Sequence, residues 1–261
     1  MLKKRLIPKL QLALRKSFRG PQPVLVVTRQ FDNRRAIGDP LSQAKIYEAQ
    51  LVDELVLVDL ERTEESWPIL LDTVERMSQE LATPLSVGGG LHNSDQVQAL
   101  LDRGADKVVI NTAALSSPDL ITRVASAYGE QCVVVSIDVR KEKESEWQVF
   151  SDCGRNRCTN SVIDWAQQAV NSGAGEIMVT SILRDGTGDG LDLELISGLS
   201  SVVTAPIIAS GGCGLAQHFV DGYEAGASAV SAGSFFSQRD QNPMQCRSHI
   251  RNAGFPIRLE V

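Results

Sequence analysis

Pro84-Leu85-Ser86-Val87-Gly88-Gly89-Gly90 carries an apolar stretch into three glycines, and the same arrangement returns in Pro206-Ile207-Ile208-Ala209-Ser210-Gly211-Gly212. Each stretch has the pattern of a short buried strand that ends in a glycine turn. The two lie 122 residues apart, and the same spacing separates Gly104-Ala105-Asp106 from Gly226-Ala227-Ser228. A fixed spacing over several motifs is typical of a duplicated structural unit. The sequence therefore predicts two similar halves.

The glycines at the two strand ends also suggest a function. Glycine lets the backbone approach a ligand closely, and successive free N–H groups form a site for an anion. Two such strand ends predict a substrate with two anionic ends, or one long polyanionic group. The alternative is that these glycines only make tight turns.

Strand and helix patterns alternate along most of the chain. The predicted strands are rich in Val and Ile, as expected for a parallel sheet that is covered on both faces. They lie at residues 6–12, 55–60, 85–87, 107–111, 132–138, 177–180, 206–209 and 229–232. Between them, a first helix is expected from Asp39-Pro40, and further helices at 69–80, 95–101, 118–127, 162–171, 193–199, 216–225 and 243–252.

Eight strand–helix units in 261 residues, made of two similar halves, predict an α/β protein with a (β/α)₈ TIM barrel. We expect one barrel domain over residues 1–261, with half-barrels of about 1–127 and 128–261. A doubly wound sheet is the alternative, but it does not explain the constant spacing. Two polar segments, 11–35 and 141–158, follow the first and fifth strands and predict one long loop per half on the catalytic face. Each contains a hairpin-like stretch, at 24–27 in the first and at 146–150 in the second.

Composition excludes several classes of partner. A net charge of −6 argues against nucleic acid and against an anionic membrane surface. No apolar run approaches the ~20 residues of a membrane span. The five cysteines form no disulfide framework for a chain of this length, so a reducing cytoplasm is expected. Cys153 and Cys158 could bind a metal or form a loop disulfide, but two thiols without a nearby His or a further Cys make a poor zinc site, so loop residues without special function are favoured. No metal and no cofactor are predicted.

Barrel enzymes bind their substrates at the carboxyl ends of the strands. Polar residues at these ends predict two anion sites, one after strands three and four and one after strands seven and eight. The candidate substrate-binding and phosphate-binding residues are Asp59, Gly89, Gly90, Asn111, Thr112, Thr180, Asp185, Gly186, Thr187, Ser210, Gly211, Gly212, Gly233 and Ser234.

Asp138 ends a Val-rich strand and is the best candidate for acid–base catalysis. The alternative is a carboxylate that caps the next segment. Gln11 occupies the corresponding place in the first half. An amide forms hydrogen bonds but does not exchange a proton near neutral pH.

Four charged residues lie at the amino ends of strands, on the face opposite the predicted active site: Arg5, Glu54, Lys107 and Glu176. Two cations and two anions in this position predict a ring of salt bridges across the bottom of the barrel. One interpretation is an ion-pair plug for the core, and the other is a polar gate through which a small molecule enters. A buried charge network alone does not favour either.

Several motifs together resemble the HisF family, the cyclase subunit of imidazole glycerol phosphate synthase, over nearly the whole chain. They are Arg5-Leu6-Ile7-Pro8, Gly38-Asp39-Pro40, Asp53-Glu54-Leu55-Val56, Gly88-Gly89-Gly90, Gly104-Ala105-Asp106-Lys107, Ile110-Asn111-Thr112-Ala113, Ala174-Gly175-Glu176-Ile177, Arg184-Asp185-Gly186-Thr187 and Ala209-Ser210-Gly211-Gly212. The resemblance implies two phosphate sites and a class I, HisH-like glutaminase docked beneath the barrel. Ammonia from the glutaminase would pass the four-residue gate, and Asp106 matches a docking residue.

Two departures from HisF bear on the chemistry. The family uses two catalytic aspartates, and Asp138 matches the second while Gln11 replaces the first. A lysine in the family's first loop is matched here by Val27. Loss of an acid–base group typically lowers the rate by ~10²–10⁴-fold.

These departures favour a HisF-like enzyme of the surface-polysaccharide or lipopolysaccharide type. Such an enzyme would use ammonia from the glutaminase on a phosphorylated or nucleotide-sugar substrate, to form an amidino group. The first alternative is a cyclase of histidine biosynthesis. The second is a non-catalytic scaffold for the glutaminase.

Overall fold

The computed structural model describes residues 3–18, 20–144, 146–238 and 241–258. The strands in this part of the chain belong to one sheet. They are β1 (Arg5–Arg15), β2 (Gln22–Arg29), β3 (Asp32–Gly38), β4 (Leu55–Asp59), β5 (Leu85–Gly88), β6 (Lys107–Ile110), β7 (Val133–Lys143), β8 (Glu146–Ser151), β9 (Asn156–Ser161), β10 (Glu176–Ser181), β11 (Ile207–Ser210) and β12 (Ala229–Ala232).

Eight of these strands pair in parallel and close a barrel: β1, β4, β5, β6, β7, β10, β11 and β12. Closure is made by β12, which pairs with β1, and by β10, which pairs with β7. The predicted (β/α)₈ TIM barrel is confirmed.

Helices cover the outside of the barrel. They are α1 (Pro40–Ala49), α2 (Ser66–Glu80), α3 (Ser94–Asp102), α4 (Thr112–Ser116), α5 (Asp119–Tyr128), α6 (Val162–Asn171), α7 (Leu193–Ser200), α8 (Gln217–Glu224), α9 (Ser234–Gln238) and α10 (Pro243–Asn252). As predicted, Asp39 caps α1: its side chain accepts a hydrogen bond from Ser42 N at 2.8 Å, and Pro40 follows at the first helical position. In this part of the chain, no helix is long and apolar enough to span a membrane.

The two halves repeat each other down to single hydrogen bonds. Asp106 N donates to Leu85 O, and 122 residues later Ser228 N donates to Ile207 O, both at 2.8 Å. A Cβ on Gly104 would collide with Ser78, and one on Gly226 would collide with Ser200. The same 122-residue spacing relates each of these pairs. The duplication predicted from the glycine motifs is therefore a property of the backbone.

Side chains on alternate positions of the strands fill the barrel interior in layers. The charged ring forms the bottom layer. Above it lies an apolar layer made of Ile7, Val56, Val109, Val134, Met178, Ile208 and Ala229. The following inward positions are mostly polar and open into a cavity at the carboxyl ends of the strands. The cavity therefore lies on the face of the barrel that carries the carboxyl ends of the strands.

The two polar segments are more ordered than the sequence predicts. β1 continues to Arg15 and pairs antiparallel with β2, which pairs with β3. After the fifth barrel strand, β7, β8 and β9 form a second antiparallel extension. The predicted hairpin segments, 24–27 and 146–150, lie in β2 and β8. The expectation of loops was wrong for most of these residues, because backbone pairing with the extended barrel strands satisfies their N–H and C=O groups.

Candidate active site

A cavity of about 790 Å³ opens at the carboxyl ends of the barrel strands. Its floor carries Lys9, Val58, Ser136, Asp138 and Thr180. Its upper wall comes from the two antiparallel extensions, at 30–32 near the β2–β3 turn and at 152–156 between β8 and β9. The predicted loops of both halves therefore meet over one chamber.

Asp138 lies on the floor of this cavity and is 8% exposed. Asn111 Nδ2 donates a hydrogen bond to its Oδ2 at 2.8 Å. Burial disfavours the charged form and raises the pKa of Asp138 from 3.8 to about 6, although the positive charge of Lys9 and the Asn111 hydrogen bond oppose this shift. A carboxyl group with a pKa near 6 can both take up and release a proton near neutral pH.

Gln11 also lines the cavity, but its amide is engaged by protein. Its Nε2 donates to Thr28 Oγ1 at 3.1 Å, and the Thr28 hydroxyl donates to Asp185 Oδ2 at 2.8 Å. All three side chains are buried. Gln11 thus links β1 to β2 and, through Thr28, to the segment after β10.

The first predicted anion site opens into the cavity. Gly89, Gly90, Asn111 and Thr112 line it, as does Thr180 from the second half. The neighbouring Asp59 is occupied by its own loop, since it accepts hydrogen bonds from the backbone N–H groups of Glu61 and Arg62 and from Ser66 Oγ. Gly89 has a positive φ, and a Cβ there would overlap the backbone of Asp59. Chain packing therefore requires glycine at this position, whether or not an anion binds there.

The second predicted anion site does not line this cavity. Its residues are Asp185, Gly186, Thr187, Ser210, Gly211, Gly212, Gly233 and Ser234. The β2–β3 hairpin lies over part of it: Gln30 N donates to Asp185 O at 2.8 Å, and a Cβ on Gly186 would overlap Thr28 O. Gly212 packs directly against the backbone of Gly190. None of these eight residues lines the cavity, and the first-half hairpin lies over part of this site. Their role in binding an anion stays a prediction.

Strained backbone is concentrated at the upper wall of the cavity. Five of the non-glycine residues with positive φ line it, namely Gln30, Phe31, Arg62, Asp152 and Cys153. Such conformations cost free energy and often occur at functional sites. Ion pairing helps to hold the wall, since Arg62 Nη1 contacts Asp152 Oδ1 at 2.9 Å.

The four charged residues at the bottom form a closed ring of ion pairs. Arg5 contacts Glu54 at 2.7 Å and Glu176 at 2.9 Å, and Lys107 contacts Glu54 at 2.9 Å and Glu176 at 3.3 Å. The Glu54 side chain is only 3% exposed. The salt-bridge ring follows the sequence prediction, and its role as a gate stays a prediction.

Three residues of the interior were missed by sequence reasoning. Ser86 Oγ donates to Glu54 Oε1 at 2.6 Å and fixes the ring from the β5 side. Lys9 lines the cavity floor, and Ser231 is buried on β12. A signal was available for Lys9 and Ser231, because each lies two residues after a member of the apolar layer, on the same strand face. No such neighbour marks Ser86, since β5 contributes no residue to the ring or to that layer.

Asp106, the predicted docking residue, is exposed and has a structural contact of its own. Leu85 N donates to its Oδ2 at 2.8 Å. Cys153 and Cys158 are free thiols, and burial raises the pKa of Cys153. Among the described residues, no group of three or more His, Cys, Asp or Glu is placed to hold a metal ion.

Comparison with known proteins gives one consistent result. The sequence profile of the histidine biosynthesis protein family matches residues 7–242. A protein of Prochlorococcus marinus (strain MIT 9313), provisionally named imidazole glycerol phosphate synthase subunit hisF2, is 67% identical over 100% of both chains. Imidazole glycerol phosphate synthase subunits HisF of Gluconacetobacter diazotrophicus and Geobacillus thermodenitrificans are each 40% identical, over 99% of this chain and 97% and 100% of theirs.

Proposed function

This chain belongs to the histidine biosynthesis protein family, within its HisF group, and on this basis we propose that it is an ammonia-dependent cyclase subunit of imidazole glycerol phosphate synthase. The observation that carries the proposal is the arrangement of one barrel: a closed charged ring below, an apolar layer in the middle, and the tuned carboxyl of Asp138 above. Because the similar proteins are named imidazole glycerol phosphate synthase subunits, we favour the cyclase function over an enzyme that acts on a nucleotide sugar, the function that Gln11 suggested.

The lower half of the barrel supports a route for ammonia. Neutral ammonia is small and needs no counter-ion, so an apolar layer admits it while excluding charged solutes. The ring of Arg5, Glu54, Lys107 and Glu176 stands at the entrance to that layer. A HisH-like glutaminase docked over the ring would deliver ammonia there, and Asp106 lies on the exposed surface beside it.

The upper half supports the binding of a phosphorylated substrate. The glycine turn at Gly89 and Gly90 and the Asn111-Thr112 segment would hold one anionic end inside the cavity. The other end would reach the second anion site, at Gly211 and Gly212, after the β2–β3 hairpin moves. Asp138 would then act as the acid–base group, taking a proton from the attacking ammonia nitrogen and returning it in a later step.

A direct test uses the purified chain with ammonium salts and the ribonucleotide of the histidine pathway. We expect formation of imidazole glycerol phosphate without any glutaminase, since ammonium supplies the nitrogen. Glutamine should replace ammonium only when a HisH-like partner is present. Complementation of a histidine auxotroph by this gene is the cellular counterpart. Absence of turnover with saturating ammonium, from a folded protein, would reject the cyclase assignment.

A second candidate, an amidino-sugar synthase acting on a nucleotide sugar, is favoured by the neutral Gln11, which stands where HisF has a catalytic aspartate. Its test is turnover of a nucleotide-sugar diphosphate with ammonium under the same conditions. A scaffold without catalysis is a third possibility, and it predicts that Asp138→Asn leaves product formation by the glutaminase complex unchanged.

A further inference from the structure

Lys9 places an ammonium group inside the barrel, where the sequence suggested none. It lies on β1 between the apolar Ile7 and Gln11, on the strand face that points inward, and it lines the cavity floor. Its Nζ donates to Ser210 Oγ at 3.2 Å. Across residues 3–18, 20–144, 146–238 and 241–258, it forms no ion pair with a carboxylate.

A partly buried ammonium with one neutral partner is incompletely satisfied. The group carries three donors, and one hydrogen bond to a hydroxyl accounts for one of them. Burial of a charge costs free energy unless it is paired and hydrogen-bonded. The remaining donors of Lys9 are therefore available, inside the cavity, to an acceptor on a bound substrate.

A second polar group in the same layer is also unsatisfied. Ser231 is fully buried on β12, and its Oγ has no hydrogen-bond partner in the described structure. Ser231 is in register with Ser210, which accepts the Lys9 hydrogen bond. Register neighbours share a face, so both hydroxyls face the barrel interior. Lys9, Ser210 and Ser231 each lie two residues after a member of the apolar layer and so belong to the polar layer above it.

On the basis of the cyclase proposal, we propose that Lys9 is a second catalytic residue, which binds and protonates the substrate oxygen that becomes negative when ammonia attacks. Asp138 lies on the same cavity floor. The charge of Lys9 acts on Asp138 closely enough to oppose the burial effect on that carboxyl. An ammonium and a carboxylate would therefore do here what two aspartates do in HisF.

The proposed step is an addition of ammonia to a carbonyl carbon. The nitrogen lone pair forms the C–N bond, and the C=O π pair moves onto oxygen. The Lys9 Nζ–H proton passes to that oxygen, and the new ammonium nitrogen gives one proton to the Asp138 carboxylate. The product is a carbinolamine, the sum of ammonia and the carbonyl compound. Proton return from Asp138 to Lys9, directly or through water, restores both groups without any redox partner.

The test compares Lys9→Met, Lys9→Arg and the wild type, with ammonium and the histidine-pathway ribonucleotide. Loss of a general acid should lower kcat by ~10²–10⁴-fold in Lys9→Met. Lys9→Arg keeps the charge but releases no proton near neutral pH, so its kcat should also fall while KM stays near the wild-type value. Lys45→Met is the matched control, since Lys45 is half-exposed on α1 and pairs only with Glu80, and its kinetics should be unchanged.

The pH profile separates catalysis from a structural role. Because the Lys9 charge favours ionised Asp138, the acid limb near pH 6 should move upward in Lys9→Met and stay in place in Lys9→Arg. Wild-type kcat in Lys9→Met overturns the proposal, and wild-type kcat in Lys9→Arg overturns proton donation. If Lys9→Met does not fold, Lys9→Arg alone decides. If the wild-type protein shows no ammonium-driven turnover, the cyclase function itself is rejected. If the wild type and both Lys9 variants are equally active, the cyclase function stands and only the role of Lys9 is rejected.

Discussion

At the residue scale, the cavity owes its chemistry to two side chains whose surroundings differ. Burial raises the pKa of Asp138 to about 6, and the buried Gln11 is held in a hydrogen-bond chain. The sequence identified both positions from strand ends and half-barrel correspondence. It gave no information on their protonation or partners, because these depend on residues 17 to 174 positions away along the chain, such as Thr28 and Asp185.

The raised pKa of Asp138 has a consequence for stability. The folded state binds the proton more tightly than the unfolded chain, so folding stability falls as pH rises from about 4 through about 6. A shift of about two pKa units corresponds to roughly 3 kcal/mol. Asp138→Asn should therefore stabilise the protein by up to that amount at pH 7, while lowering turnover by ~10²–10⁴-fold.

Urea unfolding of both proteins at pH 7 and at pH 4.5 measures this effect. The stability gain should be smaller at pH 4.5, where Asp138 is protonated in the folded wild type. A gain that is equal at the two pH values, or a net loss at pH 7, would contradict the assignment of a destabilising charge.

Gln11→Asp tests whether the missing carboxylate can simply be restored. An aspartate would be shorter and would face the Thr28 hydroxyl, whose single hydrogen is already donated to Asp185. We expect a loss of about 1–3 kcal/mol in the free energy of unfolding, from an unsatisfied buried group. Turnover should not rise. Gln11→Met, neutral and of similar length, is the control for charge, and a large gain in kcat for Gln11→Asp would refute this interpretation.

At the scale of elements, the β2–β3 hairpin lies over part of the second predicted anion site. It is attached to the segment after β10 by the Thr28 hydroxyl, by Gln30 N and by Gln30 Nε2, which donates to Leu183 O at 2.9 Å. β2 also packs against the barrel, since Leu25 belongs to the main core and Val24 and Val26 pack against Ala13. The three hydrogen bonds therefore add to a packed strand and fix the end of the hairpin over the segment after β10.

Thr28→Val should loosen the hairpin without disturbing the barrel. The variant keeps the shape but removes the hydrogen bond to Asp185, which leaves a buried carboxylate oxygen unpartnered at a cost of about 1–3 kcal/mol. Amide hydrogen exchange should become faster at residues 22–38 and stay unchanged in β4–β6. Thr122→Val, which alters an exposed hydroxyl on α5, should leave both regions as in the wild type. Unchanged exchange at 22–38 would show that the hydroxyl does not hold the hairpin.

At the scale of the whole molecule, the charged ring joins strands from both halves around one axis. Glu54 is its least exposed member and accepts from Arg5, Lys107 and Ser86. Removing its charge leaves two cations facing Glu176 alone. Breaking such a buried network by removal of one partner costs on the order of 3 kcal/mol.

Glu54→Gln should therefore lower the free energy of unfolding by about 3 kcal/mol. In the glutaminase complex it should also lower glutamine-driven turnover more than ammonium-driven turnover. Glu80→Gln removes a surface partner of Lys45 and should cost less than about 1 kcal/mol. Equal losses for both nitrogen sources would contradict a gate and leave the ring as a structural plug.

The sequence by itself determined the barrel, its two halves, the charged ring and the position of Asp138. These features can be read from the sequence because their signals are local or repeated: strand periodicity, glycine turns and a constant 122-residue spacing. The spacing corresponds to structure because each half-barrel makes the same backbone contacts. The tertiary structure alone decided that the first-half hairpin lies over part of the second predicted anion site and that Lys9 Nζ meets Ser210 Oγ in the barrel interior. Both features arise from closure of the barrel, which brings β1 against β12 and lays β2 over the segment after β10. Contacts between such distant segments leave no pattern along the chain.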